Sequence, residues 1–140
     1  VRDVELEAIA RDVLGDKREP RLTIRQALVT TGSGIMPAAS ISAVVDGGEV
    51  TAGGSGVGPV DAAFNAISKL AESLGEFHIA EYRLDALRGG SMALCEVAVV
   101  IADSTGRQET GHSVGPDIVM TSLQAAVEGI NRLAGDMKGQ

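Results

Sequence analysis

The sequence predicts an α+β fold of two βββα units related by a pseudo-twofold axis, with a short linker helix in front. Three observations carry that expectation. Stretches rich in β-branched residues recur between Gly-containing breaks, the pattern of short strands. Each half closes with an amphipathic segment opened by a proline, the pattern of a helix start. The two segments also align: Ala63-Phe64-Asn65-Ala66-Ile67-Ser68-Lys69-Leu70 matches Ala126-Val127-Glu128-Gly129-Ile130-Asn131-Arg132-Leu133, 63 residues downstream, with Ala, Ile, Leu and a base recurring in register.

Taken in order, residues 3–14 read as a linker helix capped by Asp3, with Leu6, Ile9, Ala10 and Val13 on one face and Gly15 as its stop. Residues 16–21 form a polar linker containing Pro20. Strands follow at about 22–30, broken by Gly32 and Gly34, and at 38–45. Asp46-Gly47-Gly48 is a hairpin turn, and a short strand covers 49–52. The loop Gly53-Gly54-Ser55-Gly56-Val57-Gly58 then leads to a helix opened by Pro59 and Asp61, with Ala63, Phe64, Ile67 and Leu70 as its buried stripe. The second half repeats the plan. Strands are expected at about 79–87, 93–102 and 107–112, with Gly89-Gly90 as a break and a turn at 103–106. Gly115-Pro116-Asp117 opens a helix that ends near Leu133, with Gly135 as its stop. The division is therefore 1–19 as linker and 20–140 as one domain of two repeats, about 20–75 and 76–140. Neither half buries its sheet face alone, so the two should pack together. Leftover edges and apolar faces favour a homodimer.

Composition narrows the function. The 140 residues contain no Trp, one Tyr and two Phe, so the core is built from small aliphatics and offers few platforms for stacking bases. A net charge of −7 argues against nucleic acid or an anionic membrane as partner, since either needs a basic face. No apolar run approaches the roughly 20 residues of a membrane span. Cys95 is the single cysteine, which excludes an intrachain disulfide and suits a reducing, cytoplasmic setting. A start at Val1 rather than Met suggests a piece of a longer chain.

Few residues offer chemistry. The Gly-rich loop before a helix resembles a phosphate cradle, but the Lys and Ser/Thr of a P-loop are missing and Asp61 would repel a phosphate. A zwitterion fits better. Free N–H groups at a helix start can hold a carboxylate, an acid in the first turn can hold an ammonium, and small aliphatics can receive a side chain. The chain presents this arrangement twice, at Gly58-Pro59-Val60-Asp61 and at Gly115-Pro116-Asp117. On the residues alone, Asp61 and Asp117 read first as plain first-turn caps with Pro beside them. His78 and His112 have no second ligand at metal spacing and read as surface or sheet-edge residues. Cys95 reads as a small packed hydrophobe.

The stretch Gly56-Val57-Gly58-Pro59-Val60-Asp61-Ala62-Ala63-Phe64-Asn65-Ala66-Ile67 resembles the C-terminal regulatory domain of 2-isopropylmalate synthases, in the archaeal form shared with citramalate synthases. Thr31-Gly32 with Pro37-Ala38-Ala39, Glu81-Tyr82, Gly89-Gly90-Ser91-Met92-Ala93, Asp117-Ile118-Val119, Ser122 and Asn131-Arg132-Leu133 agree with it, so the resemblance spans nearly the whole chain. It implies a homodimeric, amino-acid-binding regulatory domain that is not itself catalytic. Leucine would act as feedback inhibitor between the units near the dimer interface. The alternatives are isoleucine on a citramalate synthase, or a purely structural dimerisation domain. The parent's catalytic barrel, which needs about 250 residues, would use a divalent metal and acetyl-CoA; this chain would hold no cofactor and no metal.

Carried over by position, the effector site would draw on Gly58, Pro59, Val60 and Asp61, then Ile79, Tyr82 and Ala86, then Ala93 and Cys95, and finally Pro116, Asp117 and Ile118. There are two departures from the family pattern. Met92 stands where an acid often precedes the matched alanine, and Pro116 stands where Thr often precedes the matched acid. The second change removes a hydroxyl donor and a backbone N–H.

Overall fold

The computed structural model describes residues 20–87 and 93–138. The expected linker helix at 3–14, the Gly89-Gly90 break and Met92 lie outside the described residues. The elements run β1 (Leu22–Gly32), β2 (Ile35–Val45), β3 (Gly48–Ser55), α1 (Pro59–Leu70), β4 (Phe77–Leu87), β5 (Leu94–Asp103), β6 (Gln108–Gly115) and α2 (Ile118–Lys138). This is βββα twice, as the sequence predicts. The strands make two antiparallel three-stranded meanders, β1-β2-β3 and β4-β5-β6.

Local chemistry explains the connections. Val45 pairs with Gly48, which leaves Asp46 (φ 50°) and Gly47 (φ 84°) as a two-residue turn with both dihedrals positive, the conformation that matches strand twist. The register shift between Ile24 and Gln26 in β1 recurs between Ile79 and Glu81 in β4, 55 residues on. Pro37 lies within β2, opposite the irregularity between Thr30 and Gly32, a place where its missing N–H is tolerated. At the turn after β5, the buried Asp103 accepts hydrogen bonds on one carboxylate oxygen from Thr105 N–H (2.9 Å), Thr105 Oγ1 (2.7 Å) and Arg107 N–H (3.0 Å). The Thr105 hydroxyl bond is the largest influence holding the Asp103 carboxyl below its ordinary pKa.

The two helices pack on each other, each covers the inner face of its own sheet, and each touches the first strand of the other unit. One apolar cluster runs through the whole, with Leu22, Ile41, Ile67, Leu123, Ile130 and Leu133 among its most buried members. Strand alternation sets the inner faces: Ala39, Ile41, Ala43 and Val45 on β2, and Cys95, Val97, Val99 and Ile101 on β5. Close approach of helix to sheet depends on glycine. A Cβ on Gly54 would lie 2.5 Å from the amide nitrogen of Ala66, and one on Gly111 would lie 2.6 Å from that of Gly129 while colliding with the Ala125 carbonyl. This is why β3 continues through Gly53-Gly54-Ser55 instead of giving way to a loop: the glycines serve the contact inside a strand. The helices also satisfy the outer strands. Asn65 Nδ2 donates to Ser55 O (2.7 Å), and Glu128, its counterpart in α2, accepts from His112 N–H (3.0 Å).

The units are clipped together where β1 begins. Asn131 on α2 accepts from Leu22 N–H and donates to Leu22 O, both at 2.9 Å. Arg21 grips both carboxylate oxygens of Asp46 at 2.8 Å and donates to Ala134 O at 3.3 Å. The Asp46 hydrogen bond raises the Arg21 pKa. The end of α2 also departs from the sequence reading, as do the longer β2 and β3. Gly135 does not stop α2, which runs on to Lys138; a glycine ends a helix by taking up a left-handed conformation, and the positive-φ glycines are Gly34, Gly47, Gly75 and Gly106.

Two outcomes are expected. Gly111→Ala forces backbone apart and should lower unfolding stability in urea by about 2–3 kcal/mol, whereas Gly58→Ala, with open space around its Cβ position, should change it little. Asp103→Asn keeps an acceptor oxygen and removes only the charge. Because the native pKa is depressed, the carboxylate's contribution is present above the unfolded value near about 3.9 and lost as pH falls through the native one. The variant should therefore be the less stable protein at pH 7, with the gap closing on acidification below about pH 4.

Candidate functional site

A groove of about 610 Å³ opens between α1 and the first half of β4. From α1 come Val60, Asp61, Phe64, Asn65 and Ser68; from β4 come Phe77, His78, Ile79 and Tyr82. Their spacing explains the convergence. Asp61, Asn65 and Ser68 fall at i, i+4 and i+7, which is one helix face. Ile79 and Tyr82 come to the same inner face because the bulge between Ile79 and Glu81 adds a residue. The floor is apolar, and Asp61, Asn65, Ser68 and His78 provide the polar groups.

Tyr82 is the pivot of this wall. Its ring meets Phe64 edge-on, with centroids 5.4 Å apart and planes at 81°. Its hydroxyl shares a 2.8 Å hydrogen bond with Ser122 Oγ on α2, a residue only 1% exposed. At the groove's other end, Pro59 sits at the start of α1 and Gly58 is its N-cap. Asp61 folds back to accept Val57 N–H at 3.1 Å. A Cβ on Gly56 would collide with that carboxylate, so the glycine before the helix makes room for the acid.

The duplication shows why the groove is open. The bulge aligns β1 with β4 55 residues apart, so Leu22 corresponds to Phe77; the helices align 63 apart, so Asn131 corresponds to Ser68. Where α2 meets β1, the Asn131 amide reaches the strand and closes the seam. Where α1 meets β4, the shorter Ser68 stands at that position and the groove remains.

Four of the sequence-predicted site residues line the groove: Val60, Asp61, Ile79 and Tyr82. Gly58 and Pro59 frame its helix start. The others lie apart from its lining. Ala86 pairs with Cys95, and the buried Cys95 thiol donates to Gly115 O at 3.3 Å. Ala93 is exposed just before β5, and Pro116 is exposed after β6. Asp117 Oδ1 accepts Met120 N–H at 3.0 Å, the bond of an N-cap, and Ile118 is 46% exposed. The two helix starts are also not equivalent. In the register of the glycine contacts Pro59 matches Ser122, so α2 begins four residues earlier, at Ile118. Phe64, Asn65, Ser68, Phe77 and His78 were not expected in a site. The stripe Asp61-Asn65-Ser68 was the available signal, whereas the contribution of β4 depends on tertiary packing. His112 lies elsewhere, paired with Glu96 at 3.1 Å. Among the described residues no cluster of three or more His, Cys, Asp or Glu could hold a metal ion, and no helix is long and apolar enough to cross a membrane.

Fold and groove together define an internally duplicated α+β module with an apolar groove between its repeats. The chain belongs to the family described as the LeuA allosteric (dimerisation) domain, whose model matches residues 1–134. It is 39% identical over its full length to a protein named "putative (R)-citramalate synthase" of Methanothermobacter thermautotrophicus, covering 28% of that protein. It is 43% identical over 91% of its length to a probable 2-isopropylmalate synthase of Methanopyrus kandleri, covering 26% of it. A probable 2-isopropylmalate synthase of Archaeoglobus fulgidus is 40% identical over 95% of the chain. The chain thus spans about a quarter of the length of the curated relatives it matches, and their names divide between two synthases.

If Asp117 serves as a helix cap, Asp117→Ala should lower stability by about 1 kcal/mol, measured by thermal unfolding, and should leave ligand binding in the groove intact.

Proposed function

We propose that this chain is the amino-acid-sensing part of a longer synthase, taking a branched-chain amino acid, leucine in the first instance, into the groove between α1 and β4 as feedback inhibitor. The observation that carries the reading is the pairing of an apolar floor (Val60, Phe64, Ile79, Tyr82) with the Asp61 carboxylate at a helix start. The floor suits an aliphatic side chain. Asp61 suits an ammonium, and the Asn65 amide and His78 stand near for a carboxylate. The volume of about 610 Å³ is within the roughly 300–1,000 Å³ range of small-molecule sites. The family description supports both halves of the role, association of two copies and allosteric control. Inhibition requires that the amino acid bind two states of the parent with different affinity. The parent would be an acyltransferase condensing acetyl-CoA with a 2-oxoacid on a separate metal-dependent barrel.

A second reading is favoured by the names of the relatives: a citramalate synthase parent, with isoleucine as effector. The two amino acids differ only in where a methyl branches, a distinction worth about 1–3 kcal/mol. Calorimetric titration of the chain with each decides the matter. Binding of one at a simple ratio per subunit or per dimer is expected, and Asp61→Asn should weaken it about tenfold or more, as loss of a charge-assisted bond does. No heat from either amino acid with a folded dimer would leave dimerisation alone as the role.

A further inference from the structure

We propose that α2 is a lever coupling the groove to Arg21 and Leu22, where the chain enters β1, and that Asn131 is its far contact. Three observations support this. First, the groove wall is fastened to α2: the Tyr82 hydroxyl bonds Ser122 Oγ at 2.8 Å, and Ser122 is buried. Ser122 matches Pro59, the first residue of α1, so the bond is made from the end of α2 that lies toward the groove. Second, the helix between is stiff. Nine residues separate Ser122 from Asn131, about 13 Å of unbroken helix, and Leu123, Ala125, Ala126 and Ile130 along it are at most 1% exposed. A packed rod shifts as a body instead of bending. Third, the far end holds the start of β1 by specific bonds. Asn131 takes both backbone groups of Leu22, and the Ala134 carbonyl takes Arg21, whose other contacts run to Asp46 in the hairpin turn. Residues 1–19 precede these positions in sequence, so a tilt of α2 reaches the chain at the start of β1.

The asymmetry between repeats gives the lever its direction. At the α2–β1 seam both ends of the amide are engaged; at the α1–β4 groove the matching position is Ser68. A molecule entering the groove therefore meets the loose seam, bears on the Tyr82 ring and acts on α2 through Ser122, while the tight seam carries the displacement outward. Coupling of this kind is reciprocal: if occupancy of the groove alters the Asn131 clip, breaking the clip must alter affinity in the groove by the same factor. This inference rests on the amino-acid reading only for the identity of the ligand.

The test uses two site-specific readouts on the full chain. Tyr82 is the sole tyrosine and there is no tryptophan, so intrinsic emission reports the groove. Amide hydrogen exchange at Leu22 reports the clip. Leucine and isoleucine are titrated in turn. The expected result is that the amino acid that changes Tyr82 emission also changes Leu22 exchange by at least about fivefold, and that Asn131→Ala abolishes this effect and shifts the dissociation constant by a similar factor. A shift in emission with Leu22 exchange unmoved overturns the coupling and leaves the sensing proposal standing. If neither amino acid moves the emission, the amino-acid reading fails, and the unliganded chain decides the coupling: Tyr82→Phe, which removes only the hydroxyl, should speed Leu22 exchange several-fold more than that of Ile41 in the core. Equal changes at the two amides would overturn it.

Discussion

A single steric constraint underlies the architecture: helix backbone must lie against strand backbone with no side chain between. At Gly54 against Ala66, and again at Gly111 against Ala125 and Gly129, an added Cβ would run into main-chain atoms. Small residues along the helices, Ala62 and Ala66 in one and Ala125, Ala126 and Gly129 in the other, complete the fit. Close approach is what lets a chain with so few aromatic residues fill its interior with Ala, Val, Ile and Leu at the density cores require. It also fixes the register of each helix on its sheet. That register places Asn65 and Glu128 against the outer strands and brings Asp61 and Phe64 over β4.

Duplication with unequal ends turns this scaffold into something that can bind. Two identical repeats would have two equivalent seams. Here one seam is closed by the Asn131 amide on Leu22 and the other, with Ser68 in place of Asn131, keeps a groove. Ser122 on α2 bonds Tyr82 within the second unit, while the groove itself lies between α1 of the first unit and β4 of the second. The Asp residues at the two helix starts do not occupy matching positions and differ in use. Asp117 is occupied as a cap for Met120, while Asp61 turns back to Val57 and lines the groove.

Much of the fold was legible beforehand because its signals are local. Pro at a helix start, Asp46-Gly47 between strands, period-two alternation in β2 and β5, and the repeat of Ala, Ile and Leu across the two helices each act over a few residues. The site was legible in part. Asp61 and Val60 stand in a helix first turn, where residue type alone suggests a role, and Ile79 and Tyr82 came with the family resemblance. Phe77 and His78 carried no such mark, because a strand residue becomes a wall only when a helix from the other repeat lies beside it.

The sequence by itself determined the fold class, the duplication, the two helix starts and the family, since all of these rest on local propensity and on residues matched in order along the chain. Only the tertiary structure decided which glycines are steric necessities inside strands, that Gly135 continues a helix, that Asp117 caps while Asp61 faces a groove, and that Asn131 reaches back across the molecule to Leu22. The physical reason is that these outcomes depend on distances between segments far apart in sequence. A backbone-to-backbone contact or a seam left open by one shorter side chain has no local signature until the two repeats are packed together.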